Sequence, residues 1–192
     1  MKAILLWVLA YLIGSIPVGV LVAAILGSND PRSQGSGNIG ATNVARTSGK
    51  KAGLMTLAGD CGKGILALLI AIWSGAGEWI VAITALAVFS GHLYPVFLGF
   101  KGGKGVATAL GIFLVLTPLA VLIEIFLFAL IVGWSRFVSL GSMIAAATLP
   151  AFICLLGYNR SIVLMALIIS ALTIFRHKNN IIRLSQGQEN RL

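Results

Sequence analysis

Long apolar runs separated by short polar breaks leave this chain few ways to fold. They occupy about 3–26, 53–73, 79–98, 105–117, 118–134, 137–156 and 161–175. The first run, as a helix, measures about 36 Å, enough for a hydrocarbon core of about 30 Å and too long for a signal-peptide core. Helices are the expected form throughout, because lipid offers backbone N–H and C=O groups no partner. With 58% apolar and 10% charged residues and a mean hydropathy of +1.01, the chain lies far outside the soluble norm. The expected fold is an all-α integral membrane protein, a single polytopic domain over 1–192 with about seven transmembrane helices, some short or broken.

The stretch 105–134 reads as one overlong helix or as two crossings broken at Thr117-Pro118, since proline removes an intrahelical hydrogen bond. Loop charge favours the break. With it, Arg32, Arg46, Lys50, Lys51, Lys63, Lys101, Lys104, Arg136, Arg176, Lys178, Arg183 and Arg191 share one side, and only Lys2 and Arg160 oppose them. The positive-inside rule then puts the N-terminus outside and the C-terminus in the cytoplasm. Trp7, Trp73, Trp79 and Trp134, near segment ends, read as interfacial anchors, and Glu124, in mid-segment, needs a partner.

Cys61 and Cys154 lack metal-ligand spacing and read as isolated thiols, and carboxylates are scarce in the polar loops, so neither a metal nor a cofactor is implied. The net charge of +9 flanks the spans. Membrane lipids and phosphorylated compounds are therefore the expected partners, and nucleic acid is not.

Three polar stretches carry the chemistry. In the first, GSGNIGATNVAR at 35–46, Gly35, Gly37, Gly40 and Ala41 let backbone approach an anion, Ser36, Asn38, Thr42 and Asn43 add donors, and Arg46 offers a fork for phosphate oxygens. The run fits G-x-G-x-x-G, but without a βαβ context it is no dinucleotide fingerprint. In the second, Lys101-Gly102-Gly103-Lys104-Gly105 leads through Thr108 into a helix whose N-terminus favours anions. It is not a Walker A loop, since Gly105 stands where a Ser or Thr is required. His92 opens the preceding His92-Leu93-Tyr94-Pro95 and has an ordinary reading as a histidine at a helix end. In the third, Arg176, His177, Lys178 and Asn180 close the last span; anchoring to headgroups accounts for Lys178 and Arg183 better than for His177 and Asn180. Asp60 and Lys63, three apart, read as a local ion pair.

Together these segments resemble the bacterial acyl-phosphate:glycerol-3-phosphate acyltransferases, the PlsY family. The likeness runs from Gly14-Ser15-Ile16-Pro17 through GSGNIGATNVAR, Asp60-Cys61-Gly62-Lys63-Gly64 and GHLYPVFLGFKGGKGVAT to RHKNNIIRL. It implies transfer of a fatty acyl group from acyl phosphate to the 1-hydroxyl of sn-glycerol 3-phosphate at the inner membrane, the first acylation of phospholipid synthesis, with the site facing the cytoplasm.

An acyl phosphate is a mixed anhydride with a good leaving group, so the absence of a G-x-S-x-G elbow or a Cys/His pair fits this chemistry. The H-x-x-x-x-D signature of other glycerolipid acyltransferases is also missing: Phe97 follows His92 at that spacing, and Ile182 follows His177. What remains is to bring two mutually repelling phosphates together and hold the hydroxyl about 3–3.5 Å from the carbonyl carbon. Ser36, Arg46, Lys104, His177 and Asn180 are the expected catalytic group, with Ser142 and Ser139 as further donors. The proton of the attacking hydroxyl goes to His177 or to a substrate phosphate oxygen. A small-anion transporter would use similar helix ends, but its site belongs at the midplane between related halves, and no inverted repeat is evident. A basic membrane scaffold leaves the glycine-rich loops without a purpose.

Overall fold

The computed structural model describes residues 1–191. Ten α-helices, with no strand among the described residues, follow in order: α1 Lys2–Ser15, α2 Val18–Ile25, α3 Ala41–Ser48, α4 Lys50–Trp73, α5 Glu78–Leu93, α6 Val106–Leu116, α7 Pro118–Ser135, α8 Val138–Leu155, α9 Arg160–Arg176 and α10 Lys178–Ser185. They fall into two compact units, Met1–Val115 and the part from Leu116 onward.

Four stretches are long and apolar enough to span a membrane alone: Lys50–Trp73, Glu78–Leu98, Pro118–Ser135 and Val138–Leu155. Two bent pairs raise the number to six, α1 with α2 at 41° and α9 with α10 at 52°. The remaining apolar run forms α6, whose 11 residues rise only about 16 Å, half a hydrocarbon core. The break at Thr117-Pro118 is present, with Pro118 in the first turn of α7, where its missing N–H costs nothing.

The first run is not the single helix expected. It stops at Ser15 and restarts at Val18. Pro17 has no N–H to continue the ladder, and the Ile16 carbonyl at the break accepts the Lys63 ammonium at 3.2 Å. Lys63 itself was expected among the loop cations. It lies well inside α4 and is 6% exposed, because α4 begins at Lys50, earlier than the apolar run that marked it.

The helices of the first unit approach to backbone contact. A Cβ on Gly14 would strike the Val88 carbonyl, and one on Gly91 the Tyr11 carbonyl, so α1 and α5 meet glycine to backbone. Gly64 lies against the Thr108 carbonyl and Gly111 against that of Cys61, which joins α4 to α6 in the same way. Small residues replace hydrophobic attraction as the packing device where lipid tails are as apolar as the helices. Val22, Val44 and Ala52, with Val18 against them, hold α2, α3 and α4 together.

In the second unit α8 packs against both α7 and α9. Glu124 has the partner an intramembrane carboxyl requires, since the Thr148 hydroxyl on α8 donates to its Oε1 at 2.8 Å. Trp73, Trp79 and Trp134 are exposed at helix ends, as anchors would be.

Candidate active site

Asn43 shapes the first polar loop. Its Oδ1 accepts the Ser36 N–H at 2.8 Å, and its Nδ2 donates to the carbonyls of Pro31 at 2.9 Å, Gln34 at 3.1 Å and Asn38 at 2.8 Å. Asn38 Oδ1 accepts the Gly40 N–H at 2.8 Å. The polar atoms of Asn43, expected on a ligand, are therefore committed inside the loop, and the residue is buried. Gly35 must be glycine twice over, with a φ of +59° and a Cβ position occupied by Asn43 Oδ1. The loop delivers the chain to α3 through Gly40, whose carbonyl accepts the N–H groups of Asn43 and Val44. The amides of Ala41 and Thr42, in the first turn, lie where helices leave donors without intrahelical acceptors. Ser36 and Arg46 are exposed, the latter in the last turn of α3.

The second loop folds back on α5. Gly102 N–H donates to the Leu93 carbonyl at 3.2 Å and Gly103 N–H to that of His92 at 3.1 Å. Those two amides, expected to face an anion, serve the loop's own fold. Gly105 has a φ of +87° with its Cβ position filled by the Phe89 ring, and its carbonyl accepts the Ala109 N–H at 2.8 Å to open α6. Lys101 is exposed, Lys104 half-buried. Thr108 is fully buried on α6, inside the packing against Gly64.

In the second unit the polar group centres on a residue absent from the sequence-based expectations. Glu189 accepts from Ser139 Oγ at 2.7 Å and Asn180 Nδ2 at 2.6 Å through Oε1, and from Arg183 Nε at 2.7 Å through Oε2. Its side chain is 4% exposed. Burial pushes its carboxyl upward, but the hydrogen bonds from Arg183, Ser139 and Asn180, with the Arg183 charge, outweigh this and hold it below the usual range. The tail thereby returns to the start of α8, where the Arg191 guanidinium also lies 5.4 Å from the Phe137 ring centre. One signal was available: Glu189 is the only carboxylate after Glu124, in a tail otherwise basic. His177, at the joint between α9 and α10, is 2% exposed with Nδ1 2.8 Å from the Thr173 carbonyl. Ser142 donates back to its own helix, to Val138 O at 2.9 Å.

These features define a multi-pass, all-helical membrane protein whose glycine-rich basic segments stand at helix ends. A model of the glycerol-3-phosphate acyltransferase family matches residues 4–187. The chain belongs to that family. It is 54% identical over 183 residues to the glycerol-3-phosphate acyltransferase of Syntrophotalea carbinolica, covering 95% of this chain and 93% of the relative. To the enzyme of that name from Aquifex aeolicus it is 46% identical over 192 residues, covering all of both chains. Among solved structures it is similar to the glycerol 3-phosphate form of PlsY, an integral membrane glycerol 3-phosphate acyltransferase, with a TM-score of 0.95 and 44% identity over 100% of this chain and 96% of that one. The lysophosphatidic acid form of PlsY gives 0.92 and 42%, with the same coverage.

Proposed function

We propose that this protein transfers a fatty acyl group from acyl phosphate to the 1-hydroxyl of sn-glycerol 3-phosphate, releasing 1-acyl-sn-glycerol 3-phosphate and inorganic phosphate. The observation that carries the reading is the likeness, over the whole chain, to the glycerol 3-phosphate form of PlsY, an integral membrane glycerol 3-phosphate acyltransferase. The hydroxyl oxygen attacks the acyl carbonyl carbon, the bond from that carbon to the bridging phosphate oxygen breaks, and phosphate leaves without a covalent enzyme intermediate. Arg46 and Lys104 neutralise the phosphates; Ser36 and the α3 first turn cradle one of them; Asn180 and His177 orient the acceptor. The chain lies in the inner membrane with its N-terminus outside and works at the cytoplasmic face, where the basic loops belong.

The purified protein in detergent should release phosphate only when both acyl phosphate and glycerol 3-phosphate are present. Solute flux in sealed vesicles without that chemistry would support a transporter instead, although the matched relatives are acyltransferases.

The hydroxyl proton, in this reading, goes to a substrate phosphate oxygen. His177 is buried, and one ring nitrogen is tied to the Thr173 carbonyl. A general base contributes about a hundredfold or more. We expect His177→Asn to lose less than about tenfold in turnover at neutral pH; a loss of about a hundredfold would make the imidazole the base.

A further inference from the structure

Asp60, Lys63 and His92 form a buried polar cluster that the acyl transfer itself does not use. They are 2%, 6% and 3% exposed. Asp60 Oδ1 lies 2.8 Å from Lys63 Nζ and 3.4 Å from His92 Nδ1. Each partner reaches a different backbone break. Lys63 Nζ donates to the Ile16 carbonyl, between α1 and α2. The His92 ring turns its other edge to the second glycine loop, so close that a Cβ on Gly103 would overlap Nε2, while the Gly103 N–H is tied to the His92 carbonyl.

A buried ion pair is an inefficient source of stability, because apolar residues of equal volume do as well or better. Orientation is what such a group supplies: at 3.4 Å the carboxylate acts on the ring by charge rather than through a formed hydrogen bond, and favours the ring direction that turns Nδ1 toward it. Here the ring is the surface on which Gly103 lies, one residue before Lys104, while Gly102 rests on the His92 and Leu93 carbonyls and on Pro95.

We propose that Asp60 and His92 are positioning residues for the reaction: Asp60 orients the His92 imidazole, which sets the backbone path of Gly102–Gly103 and so the placement of Lys104, and Lys63 ties this support to the broken first span. The inference rests on the reading that the Lys104 loop holds a substrate phosphate.

The test uses the full-length protein in detergent, with KM and kcat measured for both acyl phosphate and glycerol 3-phosphate, and amide hydrogen exchange followed over residues 99–105. Asp60→Asn and His92→Gln should each lower kcat per folded enzyme by about fivefold or more, as Lys104→Ala does, with faster exchange in the loop. A merely structural role lowers the folded fraction, read from thermal unfolding, but leaves KM and the rate per folded enzyme alone. KM and rate per folded enzyme both within about twofold of the parent would overturn the proposal. If Asp60→Asn does not fold, His92→Gln, which keeps the Asp60–Lys63 pair, decides by the same criterion. Lys104→Ala, assayed alongside, separates the two possible failures. If it is impaired while Asp60→Asn and His92→Gln are normal, positioning fails and the loop's role stands. If it is normal, the loop leaves the site and the positioning role falls with it.

Discussion

Arg46→Ala and Lys104→Ala each lower turnover at least tenfold, and the variants still purify folded. The physical demand behind this expectation is repulsion: in the proposed reaction donor and acceptor both carry phosphate, and the hydroxyl reaches the acyl carbon only if those charges are screened by fixed cations. A hydrogen bond to a charged group is worth about 1.5–3 kcal/mol, and each 1.4 kcal/mol lost from transition-state stabilisation is tenfold in rate. The expected loss is therefore about ten- to a hundredfold per residue, measured as phosphate release under saturating substrates. Arg46 is exposed at the end of α3 and Lys104 is half-buried beside Gly103. Neither is among the buried residues of the core, and thermal unfolding run beside the assay makes a rate loss at unchanged Tm read as chemistry rather than unfolding. Arg46→Lys should recover only part of the activity, because an ammonium keeps the charge and loses the planar fork. Near-normal rates in both alanine variants would remove these cations from the site.

The helical architecture was legible because a bilayer removes alternatives. Once the apolar runs are found, lipid dictates helices, and proline marks the ends, as at Pro118. The break at Pro17 was just as visible as a residue. Length does not demand it, because 3–26 is long enough to cross straight, and what stabilises the break, Lys63, sits 47 residues from Ile16 in sequence. The early start of α4 was hidden for a related reason: Lys50 and Lys51 are polar, so hydropathy cannot see the helix they begin. A charge inside a span looks like a loop charge until its partners are known.

The polar segments were legible as segments, but not atom by atom. Composition locates glycines, amides and cations; it does not say which donors the loop spends on itself. Asn43 and the Gly102 and Gly103 amides have the right chemistry for an anion, yet local geometry assigns them to loop carbonyls and to the end of α5. His92 reads in sequence as a histidine at a helix end. Its relation to Asp60 and Gly103 depends on α4 and the second loop meeting α5, which no spacing rule encodes.

Glu189→Ala should destabilise the protein by about 1.5–3 kcal/mol, the scale of hydrogen bonds to a charged group, because the Arg183 side chain left behind is partly exposed and can be hydrated. Three donors from two helices of the second unit converge on this carboxylate: Ser139 from the first turn of α8, and Asn180 and Arg183 from α10. Truncation leaves the Arg183 guanidinium without its counter-charge and frees the tail from α8. The sign of the pH effect follows from the depressed pKa. The native state holds the carboxylate more tightly than the unfolded chain does, so the stabilisation is complete above the ordinary glutamate value of 4.5 and is lost as pH falls through the lower native value. Thermal unfolding in detergent from pH 7 down to pH 3 (about four units of scan) checks this. The parent should hold its Tm to about pH 5 and then decline. Glu189→Gln keeps the size and an acceptor oxygen without the charge; it should start lower at neutral pH and decline less steeply in acid, since the group that titrates is gone. Parallel acid limbs in the two proteins would show that the Glu189 carboxylate does not hold the tail to α8.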